Sequence, residues 1–169
     1  KLRGLHNIEN LLAAAAAVWG EVPVEAIQKV GSTFTGVEHR IEPVRVLDGV
    51  TYYNDSIGTS PTRTIAGLRS FDQKVILIAG GYDKHIPYEP LAPEVIAHVK
   101  DLVLMGATGP RIEKAVCEHP DFAASGLTIQ HADTMQHAVE LARAAAQPGD
   151  IIILSPASAS FDLYPNFEV

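Results

Sequence analysis

Four short clusters carry side chains able to do chemistry. The first is Gly80-Gly81-Tyr82-Asp83-Lys84. It sets a mobile cation just behind an apolar, mostly β-branched run, Val75 to Ala79, which reads as a strand buried on both faces of a parallel sheet. Open α/β sheets bind ligands outside the carboxyl ends of their strands. The two glycines let the chain turn sharply there with little side-chain obstruction. Lys84 therefore stands where an anion would be held. The loop has neither GxxxxGK[ST] nor GxGxxG spacing, so it is not a standard nucleotide-phosphate lysine. A carboxylate-binding lysine and a solvated surface lysine both stay open, with the glycine pair favouring the first.

The second cluster, Asn54-Asp55-Ser56-Ile57-Gly58-Thr59-Ser60-Pro61-Thr62, follows a strand and opens a helix. Thr59 or Ser60 suits the cap of that helix and Pro61 its first turn. Free N–H groups at a helix start attract anions, and an Asp55 carboxylate at a strand end can accept hydrogen bonds from a ribose or an amine. Ordinary capping without a ligand is an equal reading. The third cluster, Ser155-Pro156-Ala157-Ser158-Ala159-Ser160-Phe161-Asp162, offers small residues and three neutral donors, with Phe161 and Phe167 as walls of a small site. It has no GxSxG elbow, so a nucleophilic serine is not expected. The fourth, Val37-Glu38-His39-Arg40, precedes a strand pair. Arg40 and His39 are suited to a nucleotide at a domain boundary. Taken alone, a surface arginine paired with Glu38 or Glu42 is the simpler reading. His85, His98, His119, His131 and His137 show no ligand spacing.

The elements that must position these clusters alternate along the chain. Residues 6–19 suit an alanine-rich helix with Asn7 as its N-cap, and 22–34 a second helix stopped by Gly31. Segments 41–47 and 50–54 read as two strands around an Asp48-Gly49 turn. Helices are then expected at 62–71, 91–99, 108–119 and 134–146, and strands at 75–81, 101–106, 127–130 and 150–155. This order predicts an α/β, Rossmann-like, mostly parallel sheet with helices on both faces, a β-hairpin at its start and a short helical segment before it.

Composition narrows the classes. The 169 residues contain 47% hydrophobic and 20% charged residues, ordinary for a globular protein. A net charge of -7 without a Lys/Arg block argues against nucleic acid as a partner. No apolar run approaches the roughly 20 residues of a membrane helix. The single cysteine, Cys117, cannot close an internal disulfide, in keeping with a reducing cytoplasm. The chain starts at Lys1 and stops within a pattern at Val169, so a piece of a longer protein is expected.

GLHNIEN (4–10), FTGVEHRIE (34–42), NDSIGTSPT (54–62), GGYDKHIPYEPL (80–91) and SPASASFDLYPNFE (155–168), in this order, resemble the Mur ligases over essentially the whole chain. These are ATP-dependent amide-forming enzymes of peptidoglycan assembly. The NDS start and the lysine loop are similar to the branch that adds D-glutamate to UDP-N-acetylmuramoyl-L-alanine. The resemblance implies three domains, binding the UDP-sugar, ATP with magnesium, and the incoming amino acid. Here it implies the helical end of the central ATP-binding domain over 1–36 and the amino-acid-binding Rossmann-like domain over 37–169. The junction near Thr35-Gly36-Val37 lies between the two organisational patterns and contains glycine, so a hinge is expected there.

It further implies a nucleotide contact by Asn10, His39, Arg40 and Asp55, and a D-glutamate pocket of Thr59, Lys84, Ser160, Phe161 and Phe167. No catalytic residue and no metal ligand is expected in this chain. ATP and magnesium would be held mainly by the central domain, so the chain alone should form no amide. A cytoplasmic monomer without membrane or nucleic-acid partners is expected. The residue types fit a substrate with two carboxylates, which needs a fixed cation and neutral donors. Two positions depart from the family pattern NDSKAT: Ile57 stands where a lysine is usual, and Gly58 where alanine is. A sister ligase adding another amino acid, such as an L-alanine ligase or a folylpolyglutamate synthase, is the nearest alternative. A free-standing Rossmann-like binding module is the other.

Overall fold

A computed structural model of the protein describes residues 4–159; Ser160, Phe161 and Phe167 lie outside the described residues. The apolar run becomes a strand, β3 (Val75–Gly80), with every residue buried. Around it lie β1 (Glu42–Leu47), β2 (Val50–Asn54), β4 (Val99–Met105), β5 (Thr128–Ala132) and β6 (Ile151–Leu154). They form one sheet in the order β1-β2-β6-β3-β4-β5. Only the hairpin pair β1 and β2 is antiparallel; the pairs β2–β6, β6–β3, β3–β4 and β4–β5 are parallel. The hairpin closes through Asp48 and Gly49, both at positive φ (54° and 78°), as a two-residue primed turn requires.

The helices are α1 (Leu5–Ala17), α2 (Val24–Thr33), α3 (Pro61–Leu68), α4 (Ala92–His98), α5 (Gly109–Cys117), α6 (Phe122–Ser125) and α7 (Met135–Ala145). Of these, α3, α4 and α5 cover one face of the sheet and α7 the other. Side chains alternate across a strand, so Val75, Leu77 and Ala79 of β3 enter a core with Leu68 of α3, Val95 of α4 and Ile112 and Val116 of α5. Ile76 and Ile78 enter a second core with Ala138 and Ala142 of α7. Each fully buried aliphatic side chain contributes about 1.5–3 kcal/mol by leaving water. This double burial is why β3 has no polar residue.

The chain differs from expectation at the helix ends. Asn7 is not the N-cap of α1. Gly4 takes that position at φ 85°, and the Asn7 N–H donates to the Gly4 carbonyl at 3.2 Å. Gly31 does not stop α2, which runs on to Thr33. The Ser32 and Thr33 hydroxyls donate back to the Lys29 carbonyl, competing with the backbone where the helix ends. Ser60 occupies the N-cap of α3 with Pro61 following, but its side chain makes no capping bond. The short α6 was not expected; Gly126 ends it in the left-handed region. Helix α2 buries no residue, and Trp19, between α1 and α2, is 68% exposed. No helix among the described residues is long and apolar enough to cross a membrane.

Candidate functional site

The insertion of β6 between β2 and β3 decides what meets at the carboxyl ends of the strands. It places residues 155–159 between the loop after β2 and the loop after β3. Backbone hydrogen bonds join all three. Ala157 N–H donates to the Gly58 carbonyl at 2.8 Å, Gly80 N–H to the Pro156 carbonyl at 2.8 Å, and Tyr82 N–H to the Ala159 carbonyl at 2.6 Å. The glycine pair is needed for this approach. Gly80 and Gly81 have φ of 112° and 147°, and a Cβ on them would stand 1.9 Å from the Met105 carbonyl oxygen and 2.2 Å from that of Ala159.

Lys84 is exposed, and its Nζ donates to the Thr59 carbonyl oxygen at 3.1 Å. Two of the residues expected at the amino-acid site thus touch across loops 25 positions apart. The ammonium has three donors, so this one bond leaves two for an anion. Ile57, at the place of the usual lysine, is 41% exposed. Gly58 answers to local packing: a Cβ there would lie 2.7 Å from both Asp55 Oδ2 and Ser155 Oγ.

Asp55 does not stand open to a ribose. It is 4% exposed, and both carboxylate oxygens are taken. Ser155 Oγ donates to Oδ2 at 2.7 Å, and Ile41 N–H donates to Oδ1 at 3.2 Å. Burial raises its pKa above the ordinary 3.8, against the opposing pull of those two donors and of the Arg40 and His6 charges. The Thr64 hydroxyl extends the network to Ser155 Oγ at 3.0 Å. Asp55 thereby ties the turn carrying Arg40 to the loops after β2 and β6. That turn is strained: His39 and Ile41 have φ of 64° and 45°.

Asn10 and Arg40 line one cleft of about 290 Å³ together with Phe34, Gly36 and Val37. Arg40 pairs with neither Glu38 nor Glu42 within 4 Å; the Glu42 carboxylate instead accepts the His39 N–H at 2.8 Å. His39 does not line the cleft. Its Nδ1 meets the Asn54 amide at 3.0 Å. Of the three serines read as ligand donors, Ser155 and Ser158 are fully buried and serve the protein's own network. Among the described residues no group of three or more His, Cys, Asp or Glu side chains is arranged to hold a metal ion.

The sequence reading overlooked residues that build the lysine loop. Arg111 of α5 donates to Asp83 at 2.5 Å and to the Ile86 carbonyl at 3.1 Å, and its guanidinium lies 5.3 Å from the Tyr88 ring centre. The Tyr88 hydroxyl meets Ser158 Oγ at 2.7 Å, which meets Thr108 Oγ1 at 2.8 Å. One signal was available: a cation in the first turn of a helix opposes the macrodipole, so Arg111 needs a specific partner.

Residues 39–158 match the family model described as Mur ligase, glutamate ligase domain. The chain is 54% identical over 168 residues to the UDP-N-acetylmuramoylalanine--D-glutamate ligase of Clostridium beijerinckii, covering 99% of this chain and 37% of that protein. It is 56% identical to the enzyme of the same name from Acetivibrio thermocellus, covering 98% and 36%. The chain therefore spans little over a third of these relatives. Among solved structures it resembles a Mycobacterium tuberculosis folylpolyglutamate synthase complexed with ADP, with a TM-score of 0.68 at 15% identity over 94% of this chain and 39% of that one. A murein peptide ligase from Psychrobacter arcticus gives a TM-score of 0.62 at 21% identity over 94% and 35%. These two likenesses bear on the fold alone.

Proposed function

Because the chain belongs to the Mur ligase family through its glutamate ligase domain, we propose that it is the amino-acid-binding part of an ATP-dependent ligase that adds D-glutamate to UDP-N-acetylmuramoyl-L-alanine. The observation that carries this reading is the contact of Lys84 Nζ with the Thr59 carbonyl at the carboxyl ends of β2 and β3. An exposed ammonium with free donors, held by a backbone oxygen, suits a substrate carboxylate. Ser160, Phe161 and Phe167 complete the pocket in this proposal. The dipole of α3, which opens just after Thr59, favours the same charge.

Residues 1–36 form the end of a central ATP-binding domain, and residues 37–169 the domain that delivers the amino acid, with a hinge at 35–37. Asn10 and Arg40, sharing one cleft, face the nucleotide, with His39 beside them. Asp55 acts on that side by fixing the Arg40 turn. ATP activates the UDP-sugar carboxylate as an acyl phosphate, the amine of D-glutamate attacks it, and phosphate leaves. Magnesium and the ATP phosphates are held mainly by the central domain, and the enzyme works as a cytoplasmic monomer in peptidoglycan precursor synthesis. Identities of 54% and 56% to ligases named for D-glutamate support this branch over folylpolyglutamate synthases.

The test is phosphate release by the full-length protein with ATP and UDP-N-acetylmuramoyl-L-alanine. D-Glutamate supports it, while L-glutamate and L-alanine do not. Lys84→Ala raises the KM for D-glutamate by about tenfold or more, the worth of one charge-assisted contact. Equal turnover with L-glutamate, or an unchanged KM in the variant, overturns the assignment.

A further inference from the structure

Lys84 has a carboxylate for its neighbour in sequence. Asp83 is 26% exposed at its side chain, on the same loop and at the same strand end. Unpaired, it would compete with a substrate carboxylate for the Lys84 ammonium and repel the substrate's two negative charges. We propose that Arg111 is a positioning residue of the amino-acid site, which draws Asp83 away from Lys84 and holds the lysine loop in its binding form. The proposal rests on the D-glutamate reading above and deepens it.

The geometry has three parts. The Arg111 guanidinium donates through one nitrogen to Asp83 Oδ1 and through the other to the Ile86 carbonyl, so residues on both sides of Lys84 are held by one planar group. The same Asp83 oxygen accepts the His85 N–H at 2.7 Å, and His85 sits at φ 58°, which fixes the turn immediately after Lys84. The guanidinium then lies over Tyr88, whose hydroxyl bonds Ser158 in the loop leading to Ser160. The Asp83 carboxyl is held below its ordinary range, first by the His85 N–H and also by Arg111, and its other oxygen lies 3.5 Å from the His85 ring. Neighbouring backbone bonds support the same loop without touching Asp83: Thr108 N–H donates to the Gly81 carbonyl at 3.0 Å. A lysine at position 111 could not reproduce the fork or the stacking.

Arg111 touches no reacting atom, so its effect is expected in one kinetic constant. In the full-length ligase, Arg111→Met raises the KM for D-glutamate about tenfold, with the KM for ATP and the thermal midpoint nearly unchanged. Arg111→Lys gives a smaller rise, about threefold. The decisive variant is Asp83→Asn added to Arg111→Met. The asparagine keeps an oxygen for the His85 N–H but removes the competing charge, so the KM falls back toward wild type. A scaffold role alone would give no such rescue. Arg111→Met with an unchanged KM, or a double variant no better than the single one, overturns the proposal. If Arg111→Met fails to fold, the Arg111→Lys pair with and without Asp83→Asn reads the same rescue. Wild-type protein that consumes no D-glutamate overturns the functional reading as well; active wild type with an insensitive Arg111 overturns this inference alone.

Discussion

At residue scale, Asp55 shows how a side chain suited to a ligand can be taken by its own protein. A carboxylate at a strand end could accept hydrogen bonds from a ribose, but here Asp55 is buried, and Ser155 and Ile41 each donate to one of its oxygens. Its raised pKa makes a pH prediction with a definite sign. A folded-state pKa above the unfolded one means that the folded chain holds the proton more tightly. That contribution to stability is present in full below pH 3.8 and is lost as pH rises through the folded pKa. Asparagine cannot ionise, though its amide must sit against either the Ile41 N–H or the Ser155 hydroxyl. Relative to wild type, Asp55→Asn therefore gains stability as pH rises. Denaturant unfolding of both proteins between about pH 3 and pH 7 measures it, and a difference flat in pH would count against it.

At the scale of elements, the buried strand β3 was legible as an apolar, β-branched run and the β1–β2 hairpin from its Asp48-Gly49 turn, and the register of β3 follows from two cores needing alternate side chains. Strand order was not legible. Parallel strands are joined by long crossovers, so nothing local to Ile151–Leu154 says that it slots between β2 and β3. That one placement sends Ser155 and Ser158 inward and brings Thr59 to Lys84. Arg111 was hidden for the same reason: its partner Asp83 lies 28 residues earlier, across a whole strand and helix. The glycine pair, by contrast, was read correctly as permissive, and its requirement is stricter than a sharp turn. Gly80→Ala puts a methyl against the Met105 carbonyl at a left-handed φ. The backbone conformation alone costs on the order of 1–3 kcal/mol, and separating β3 from β4 adds to it. The expected result is a lower denaturation midpoint with an unchanged denaturant slope; a variant as stable as wild type would show that the strand ends can part freely.

At the scale of the whole molecule, stability is unevenly spread. The sheet holds two cores of fully buried aliphatic residues, while α2 buries none and exposes Val24 and Val30. Most helical stability in proteins comes from packing an apolar face, and a helix of ten residues without such packing is marginal in water. The amides of α2 are therefore expected to exchange with solvent near their unprotected rates in the 169-residue chain, while those of β3 exchange only through global unfolding. If residues 1–36 are the end of a central ATP-binding domain, the same α2 amides become protected in the full-length protein, because its exposed valines then have a surface to cover. Hydrogen exchange on both proteins decides the point. Protection of α2 that is equal in the two would place the domain boundary elsewhere and remove the hinge at 35–37 with it.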